Sequence, residues 1–218
     1  MHRITGILIT ATLVFFAFAA CAQDTPSAED LVGSMLTRYD TIKNYKVAVD
    51  QQNLNEKTKE PEQRTCNFWA NMEPYALRLE VVDGSDKGSV VVFNKKRNAK
   101  AVRAKQSFMP VAISVSKDDP RLKGFTESNW ETDAKNVIKN TGEAKPVLKG
   151  GSKSKDRAAW KITYENVKGD YDNIQIWVDK EEKVMLQFEY YKNGKLIERK
   201  TWYDFEINTK LDQKLFKL

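Results

Sequence analysis

The stretch from Val184 to Ile207, VMLQFEYYKNGKLIERKTWYDFEI, constrains the fold more than any other part of this chain of 218 residues. Apolar and polar residues alternate on both sides of Asn193-Gly194, a dipeptide that favours a two-residue hairpin turn. The pattern therefore predicts two long antiparallel strands with one apolar face. Such a face must be covered, either by other parts of the protein or by a ligand.

Counting back from a two-residue turn predicts which residues share a face of this hairpin. Trp202 falls on the opposite, more polar face, and Glu189 lies opposite Glu198, which carries a small electrostatic cost. Arg199 is set among apolar groups, where it either extends to solvent at an edge or lies at the rim of a cavity. The predicted apolar face carries Val184, Leu186, Phe188, Tyr190, Ile197, Tyr203, Phe205 and Ile207.

Other segments predict further strands of the same kind. Ile174, Ile176 and Val178 alternate in the strand before the hairpin. Earlier strands contribute Leu77, Leu79, Val81 and Phe93. Tight turns between strands are typical of an antiparallel sheet.

The predicted order of elements along the chain is a helix, four or five strands, an irregular segment at 106–127, a helix and four strands. A flexible connector is expected at 150–156. The pattern predicts an α+β fold, in which two helices cover one face of a strongly curved sheet.

Helix boundaries are indicated by capping residues. Ser27 is a candidate N-cap for the first helix, which carries Glu29 and Asp30 in its first turn. Ser128 and Glu131 have the spacing of a capping box before the second helix. Gly142 follows that helix where a C-terminal cap is expected.

The N-terminus predicts export from the cytoplasm. A short basic start precedes an uncharged stretch at 4–20, as in a secretory signal peptide. Ordinary cleavage would remove residues 1–22, whereas the segment ending in Cys21 also fits a lipoprotein signal, which would leave Cys21 lipidated. Both remain open. A single domain is expected at 27–218, without an internal disulfide because Cys66 is the only other cysteine.

Several classes of chemistry lack the residues they need. The only histidine is His2, inside the predicted signal peptide, so Ser-His-Asp catalysis and the usual zinc sites are excluded. No phosphate-binding glycine motif is present. Asp118-Asp119 and the pair Asp170 and Asp172 are weak candidates for calcium or carboxylate chemistry. We expect a protein that is not an enzyme, with no metal, no cofactor and no nucleic-acid partner. The net charge of +6 is compatible with a protein that works near anionic lipid or polymer, but it does not show that such a partner exists.

Several motifs resemble those of the outer-membrane lipoprotein carrier family, also called lipoprotein-sorting proteins. At the C-terminus these are a WVD strand end, an NGK turn, the strand WYDFEIN and a final LDQKLF. The segments PYALRLEVVDGSDKGSVVVFNKKRN and GFTESNWETDAKNVIKN are more similar to an uncharacterised bacterial family of the same fold. The resemblance covers about residues 28–218 and rests on strand and turn patterns.

The resemblance implies an unclosed half-barrel whose concave face is covered by helices that enclose a hydrophobic cavity. It further implies an exported envelope protein that binds the acyl chain of a lipid or lipoprotein. No clear counterpart of the carriers' cavity arginine is found, and Arg78 and Arg199 are candidates for the cavity rim only by their position in strands. The expected cavity lining is Leu77, Leu79, Val81, Phe93, Ile174, Ile176, Leu186, Phe188, Tyr190, Tyr203 and Phe205.

Two other functions remain open at this stage. One is a structural or interaction lipoprotein of the envelope, with a fully packed core and a protein partner. The other is a hydrolase that uses Asp or Glu side chains. In the leading interpretation the protein is a periplasmic monomer, either soluble or anchored to the outer membrane through Cys21.

Overall fold

The structure, a computed structural model, describes residues 25–55, 58, 60–119, 122, 126 and 129–218. The predicted signal peptide at 1–22 and Cys21 lie outside the described residues. Among the residues that are described, no helix is long and apolar enough to span a membrane.

Strands dominate the described part of the chain, in which two α-helices accompany eleven strands. The helices are α1 (Ala28–Tyr39) and α2 (Trp130–Asn140). The strands are β1 (Asn44–Leu54), β2 (Pro61–Met72), β3 (Tyr75–Gly84), β4 (Val90–Asn94), β5 (Ala101–Lys105), β6 (Ile113–Ser116), β7 (Pro146–Ser154), β8 (Arg157–Glu165), β9 (Asn173–Asp179), β10 (Met185–Lys192) and β11 (Lys195–Ile207).

All these strands belong to one antiparallel sheet in the order β6-β5-β4-β3-β2-β1-β11-β10-β9-β8-β7. The first strand pairs with the last, so a seam between β1 and β11 joins the two halves of the chain. The free edges are β6 and β7, and α2 lies between these two strands in sequence. The predicted α+β class is confirmed: the sheet is curved and unclosed, and the helices cover one face, which we call the inner face.

The first helix begins at the predicted cap. The Ser27 hydroxyl accepts a hydrogen bond from the backbone N–H of Asp30 at 3.0 Å. Leu31, Met35 and Tyr39 are buried along one side of the helix. The Tyr39 hydroxyl accepts a hydrogen bond from the Met185 N–H at 3.1 Å, which fastens the end of α1 to the start of β10.

The second helix begins differently from the prediction. Its N-cap is Asn129, whose side chain accepts a hydrogen bond from the Thr132 N–H at 2.9 Å. Ser128, the predicted cap, lies outside the described residues. The predicted ending is confirmed, because Gly142 follows the helix with a φ of +57°, a left-handed conformation that favours glycine.

Two strands lie where irregular chain was predicted. β6 forms within the segment 106–127, and β7 covers most of the expected connector at 150–156. Both are edge strands. β7 is mostly polar and lacks the clear apolar alternation of a half-buried strand, whereas β6 alternates Ile113 and Val115 with serines over only four residues. Their formation depends on hydrogen bonds to β5 and β8 rather than on burial of their own side chains.

The predicted register of the β10–β11 hairpin is wrong by one residue. The turn pairs Tyr191 with Leu196 as expected, but an irregularity at Tyr190 and Tyr191 then pairs Tyr190 with Glu198. Glu189 consequently lies opposite Arg199 instead of Glu198. The β-bulge thus replaces a pair of like charges by an ion pair, and it reverses the predicted facing of the following residues of β11 as far as Tyr203.

Trp130 is the most extensively packed residue of α2. Its ring lies 5.7 Å from that of Tyr45 and 6.1 Å from that of Trp202, measured between centroids. Its indole N–H donates to the Met185 carbonyl at 2.6 Å, and its backbone N–H donates to the Tyr45 hydroxyl at 2.9 Å. One buried side chain therefore connects α2 to β1, β10 and β11.

We predict that Trp130→Ala lowers the free energy of unfolding by about 3–5 kcal/mol, the usual cost of removing a buried aromatic ring. Urea unfolding followed by circular dichroism measures the change. Trp69→Ala is the matched control, because Trp69 is only half-buried and packs in a separate small cluster with Phe216. Equal losses for the two variants would contradict the central role given to Trp130.

Candidate ligand-binding cavity

The inner face of the sheet is covered unevenly. α1 packs against β7 and β9, and α2 packs against β10, so the helices cover the half that contains the C-terminal strands. The other half is left more open. A cavity of about 670 Å³ lies there, between the strands β1–β6 and the first turns of α2. Sites for small molecules commonly have volumes of about 300–1,000 Å³.

One side of the cavity is an apolar wall built by alternate residues of adjacent strands. These residues face the same way because Phe68 pairs with Leu79, Leu79 with Val91 and Val91 with Ala104. The loop after β5 and the edge strand β6 complete the wall. Its members include Phe68, Leu79, Val81, Val90, Val91, Ala104, Met109, Ile113, Val115, Leu122 and Trp202.

Polar side chains also line the cavity. Lys200 of β11 forms an ion pair with Asp133 of α2, with Nζ 2.5 Å from Oδ2. Both side chains are mostly buried. Arg64 donates two hydrogen bonds to the Gln51 side-chain oxygen, at 3.1 and 2.8 Å. The cavity lining therefore combines an apolar wall with charged and hydrogen-bonding side chains, a combination that suits an amphipathic ligand.

Glu198 lies close to these polar side chains. Burial raises the pKa of its carboxyl above the ordinary value of 4.5; the nearby Asp133 carboxylate adds to the rise, and Lys200 opposes it. Its position follows from the bulge in β11, where Ile197 is the additional residue; the bulge turns Glu198 and Lys200 toward the inner face. Asp133, Glu198 and Lys200 thus form a charged group at the edge of the cavity.

Of the predicted lining residues, Leu79 and Val81 lie in the wall of this cavity. Leu77 and Phe93 pair across β3 and β4 and are buried in the adjoining core. The structure places five others in the packed core beneath the helices, away from the cavity lining. These are Ile174, Ile176, Leu186, Phe188 and Tyr190.

The predicted orientation of Tyr203 is wrong. Its hydroxyl donates to the Asp50 carboxylate at 2.9 Å, and Lys155 Nζ lies 4.6 Å from its ring centroid. This cluster is on the outer face, since Asp50 alternates with the inward-facing Val49. The register shift in β11 turns Trp202 inward instead.

A second irregularity restores the predicted direction for the last part of β11. The pairing of β1 with β11 shifts between Lys46 and Ala48, and Asp204 has a φ of +48°. Phe205 therefore faces inward, as expected, with its ring centroid 5.1 Å from that of Trp130. It packs against this core residue and is not part of the cavity lining.

The two candidate rim arginines lie on the outer face, so neither is at the cavity. Arg78 donates to the Leu215 carbonyl at 2.9 Å and pairs with Glu80, which holds the C-terminal 3-10 helix Gln213–Phe216 against β3 and β4. Arg199 Nε donates to the Glu189 carboxylate at 2.6 Å. Glu189 is almost fully buried, so Arg199 supplies the positive charge that a buried carboxylate requires.

Several residues that line the cavity were not predicted from the sequence. Phe68 and Val91 belong to predicted strands. Aligning those strands with the strand of Leu79 would have placed both residues on the same face as Leu79. Met109, Ile113 and Val115 lie in the segment expected to be irregular, where Ile113 and Val115 alternate with serines over a stretch too short to predict a strand. The polar members Lys200 and Asp133 come together only because α2 lies over β11, which no local pattern indicates.

Cys66 also lines the cavity, and burial raises the pKa of its thiol. The thiol therefore stays protonated at neutral pH and acts as a small apolar group. Within the described ranges, no group of three or more His, Cys, Asp or Glu side chains could hold a metal ion.

No family model and no curated protein matches the sequence. Solved structures match the fold at low identity. The chain is 13% identical to MucB in the Pseudomonas aeruginosa MucA/MucB complex, with a TM-score of 0.55 over 88% of this chain and 60% of that one. The chain thus spans less than two thirds of MucB.

Two further structures match over most of both chains. An uncharacterised conserved protein from Thermus thermophilus is 12% identical, with a TM-score of 0.53 over 88% of this chain and 93% of that one. The Mycobacterium tuberculosis lipoprotein LppX is 9% identical, with a TM-score of 0.51 over 85% and 99%. Identities this low establish a shared fold only, and they agree with the half-barrel implied by the lipoprotein carrier resemblance.

The raised pKa of Glu198 predicts a pH dependence of stability. The folded state binds this proton more tightly than the unfolded state, so the free energy of unfolding falls as pH rises above about 4.5. Glu198→Gln should remove that loss. We expect the variant to be more stable than the parent at neutral pH and to show a flatter pH profile in urea unfolding.

Glu206→Gln is the matched control for this experiment. Glu206 lies on the same strand, exposed to solvent, and its carboxylate is 3.4 Å from Lys46 Nζ. Surface pairs of this kind contribute little to stability. An unchanged pH profile in Glu198→Gln, or an equal change in both variants, would show that Glu198 is not the group responsible.

Proposed function

We propose that this protein binds the acyl chain of a lipid or lipoprotein in its inner-face cavity and carries it within the bacterial envelope. The observation that carries the proposal is the cavity itself. Its lining combines apolar side chains, mostly on β2–β6, with charged side chains that include Arg64 of β2, Asp133 of α2 and Lys200 of β11. An acyl chain would lie along the apolar wall, and the polar part of the ligand would face Arg64 and Lys200.

The energetics favour such a ligand. Each buried methylene contributes about 0.8 kcal/mol, so a chain of about 12 methylenes would gain roughly 10 kcal/mol before ordering costs. Affinity can therefore come from burial alone. This agrees with a cavity whose charged groups already pair with one another, as Lys200 does with Asp133.

Localisation forms part of the same proposal. The N-terminal pattern predicts export, and LppX, a structural relative, is described as a lipoprotein. We infer a periplasmic protein that is free or anchored through Cys21, with binding and transport rather than catalysis as its task. Intact-mass measurement of the mature chain distinguishes the two forms, because diacylation adds hundreds of daltons.

A second candidate function is binding of an envelope protein. It is favoured by the likeness to MucB, a protein whose structure was solved in complex with MucA. In that case the cavity would serve a peptide partner or remain without a ligand. Lipid extraction and mass spectrometry of the protein purified from the envelope separate the two candidates: acyl lipid at a fixed stoichiometry supports the carrier, and its absence supports the partner.

Filling the cavity provides a direct test. Leu79→Trp places a larger ring in the apolar wall, and we expect it to weaken binding of a fluorescent fatty acid at least about tenfold, equivalent to about 1.4 kcal/mol. Val82→Trp is the matched control, because Val82 lies on the same strand but is exposed outside the cavity. If Leu79→Trp folds normally and binds the probe as the parent does, the cavity is not the binding site.

A further inference from the structure

The loop between β5 and β6, residues 106–112, exposes large apolar side chains to solvent. Phe108 is 80% exposed and Val111 is 66% exposed, and Ile113 at the start of β6 is 42% exposed. Pro110 separates the first two. Among the described residues these are three of the five large hydrophobic residues classed as exposed, and they lie within six positions of one another. Such a concentration marks an interaction surface.

The same loop forms part of the cavity wall. Met109 and Ile113 line the cavity, while their neighbours Phe108 and Val111 face solvent. The apolar surface of the loop is therefore continuous from the exterior of the protein to the interior of the cavity.

The strands that carry this loop are also the most basic part of the chain. Residues 87–117 contain eight lysines and arginines and no aspartate or glutamate. This local charge exceeds the net charge of the whole chain, which is +6. Among the described residues, Lys87 lies 3.4 Å from Asp83 and Lys117 lies 3.5 Å from Asp118, at the two ends of the segment. The side chains of Lys95, Lys96, Arg97 and Lys100 are exposed on the turn between β4 and β5.

The opposite edge of the sheet has a different character. Val147 on β7 is 44% exposed but has no exposed large apolar neighbour among the described residues. Lys149 on the same strand pairs with Glu165 at 2.9 Å. The combination of clustered apolar and basic residues is therefore specific to the edge formed by β4, β5 and β6.

We propose that this edge docks on the surface of an anionic phospholipid bilayer. Phe108 and Val111 enter the interface between headgroups and acyl chains, and the basic residues of 87–117 lie over the anionic headgroups. Apolar side chains combined with basic residues are the usual means by which a peripheral protein binds such a surface. The docked loop places the cavity next to the bilayer. The inference goes beyond the proposed function and holds whatever the cavity binds.

A protein strand pairing with the free edge of β6 is the main competing occupant. β6 is only four residues long, which offers few backbone hydrogen bonds to a partner. Strand pairing would also make no use of Phe108 at the tip of the loop or of the basic turn between β4 and β5. The bilayer accounts for both features.

The test uses the exported full chain carrying Cys21→Ser, so that no lipid anchor contributes. Sedimentation with vesicles measures binding to phosphatidylcholine alone and to equal parts of phosphatidylcholine and phosphatidylglycerol. We expect binding to the anionic vesicles that weakens as salt is added. Phe108→Ser combined with Val111→Ser should reduce this binding about tenfold or more, because the loss of buried apolar area is large. Val147→Ser should leave it unchanged.

A second pair of variants tests the charge. Lys96→Gln with Lys100→Gln removes two positive charges from the proposed surface, and Lys145→Gln with Lys153→Gln removes two near the opposite edge. Each lysine close to an anionic surface contributes about 1 kcal/mol, so the first pair should weaken binding about thirtyfold. The second pair has the same net charge and should change it much less.

The proposal is wrong if the anionic vesicles are not bound, or if the variants at the two edges behave alike. It is also wrong if Phe108→Ser with Val111→Ser leaves vesicle binding intact but abolishes pairing with an envelope protein. Failure of the cavity proposal would give a different result, because Leu79→Trp would then bind the fatty acid probe as the parent does. If both proposals hold, Leu79→Trp loses the probe and still binds vesicles, whereas Phe108→Ser with Val111→Ser still binds the probe in solution.

Discussion

The packing of Trp130 against the seam between β1 and β11 is the interaction on which the rest of the structure depends. The chain passes from the β6 edge to the β7 edge through α2, so the position of α2 decides how the inner face is covered. Trp130 fixes the start of α2 by hydrogen bonds to β1 and β10 and by stacking on Trp202. The helix is thereby held over the C-terminal strands.

The cavity follows from this asymmetric cover. An antiparallel sheet of eleven strands presents more apolar surface than two short helices can bury. The surplus remains on β2–β6, beside the first turn of α2. Lys200 and Asp133 meet at the boundary between the packed and open halves, where a buried charge is tolerated because its partner is adjacent. The cavity lining therefore combines an apolar wall with charged side chains, and the exposed loop 106–112 contributes to it.

The structure explains why only some of the residues predicted to line a cavity lie at the one observed. Alternation places Leu79 and Val81 on the inner face, and they line the cavity. Alternation fails for Tyr203 because a bulge of one residue reverses the facing of the residues that follow it, until the second irregularity near Asp204 restores it. The bulge pairs Glu189 with Arg199 across two strands. Counting residues back from the Asn193-Gly194 turn assumes a regular ladder and therefore cannot predict this bulge. Edge strands such as β6 are also difficult to predict, because β6 is only four residues long and is held by hydrogen bonds to β5.

The sequence by itself determined the class of the fold and the excluded chemistry. Strand alternation, turn dipeptides and helix caps are local properties, and they require an antiparallel sheet with one apolar face. The absence of histidine after His2 is equally a property of the sequence alone. Only the tertiary structure decided which part of the apolar face is left open, which charges meet there and which loop borders it. Those outcomes depend on the register at two bulges and on the position of α2, and both are set by contacts between residues far apart in the chain.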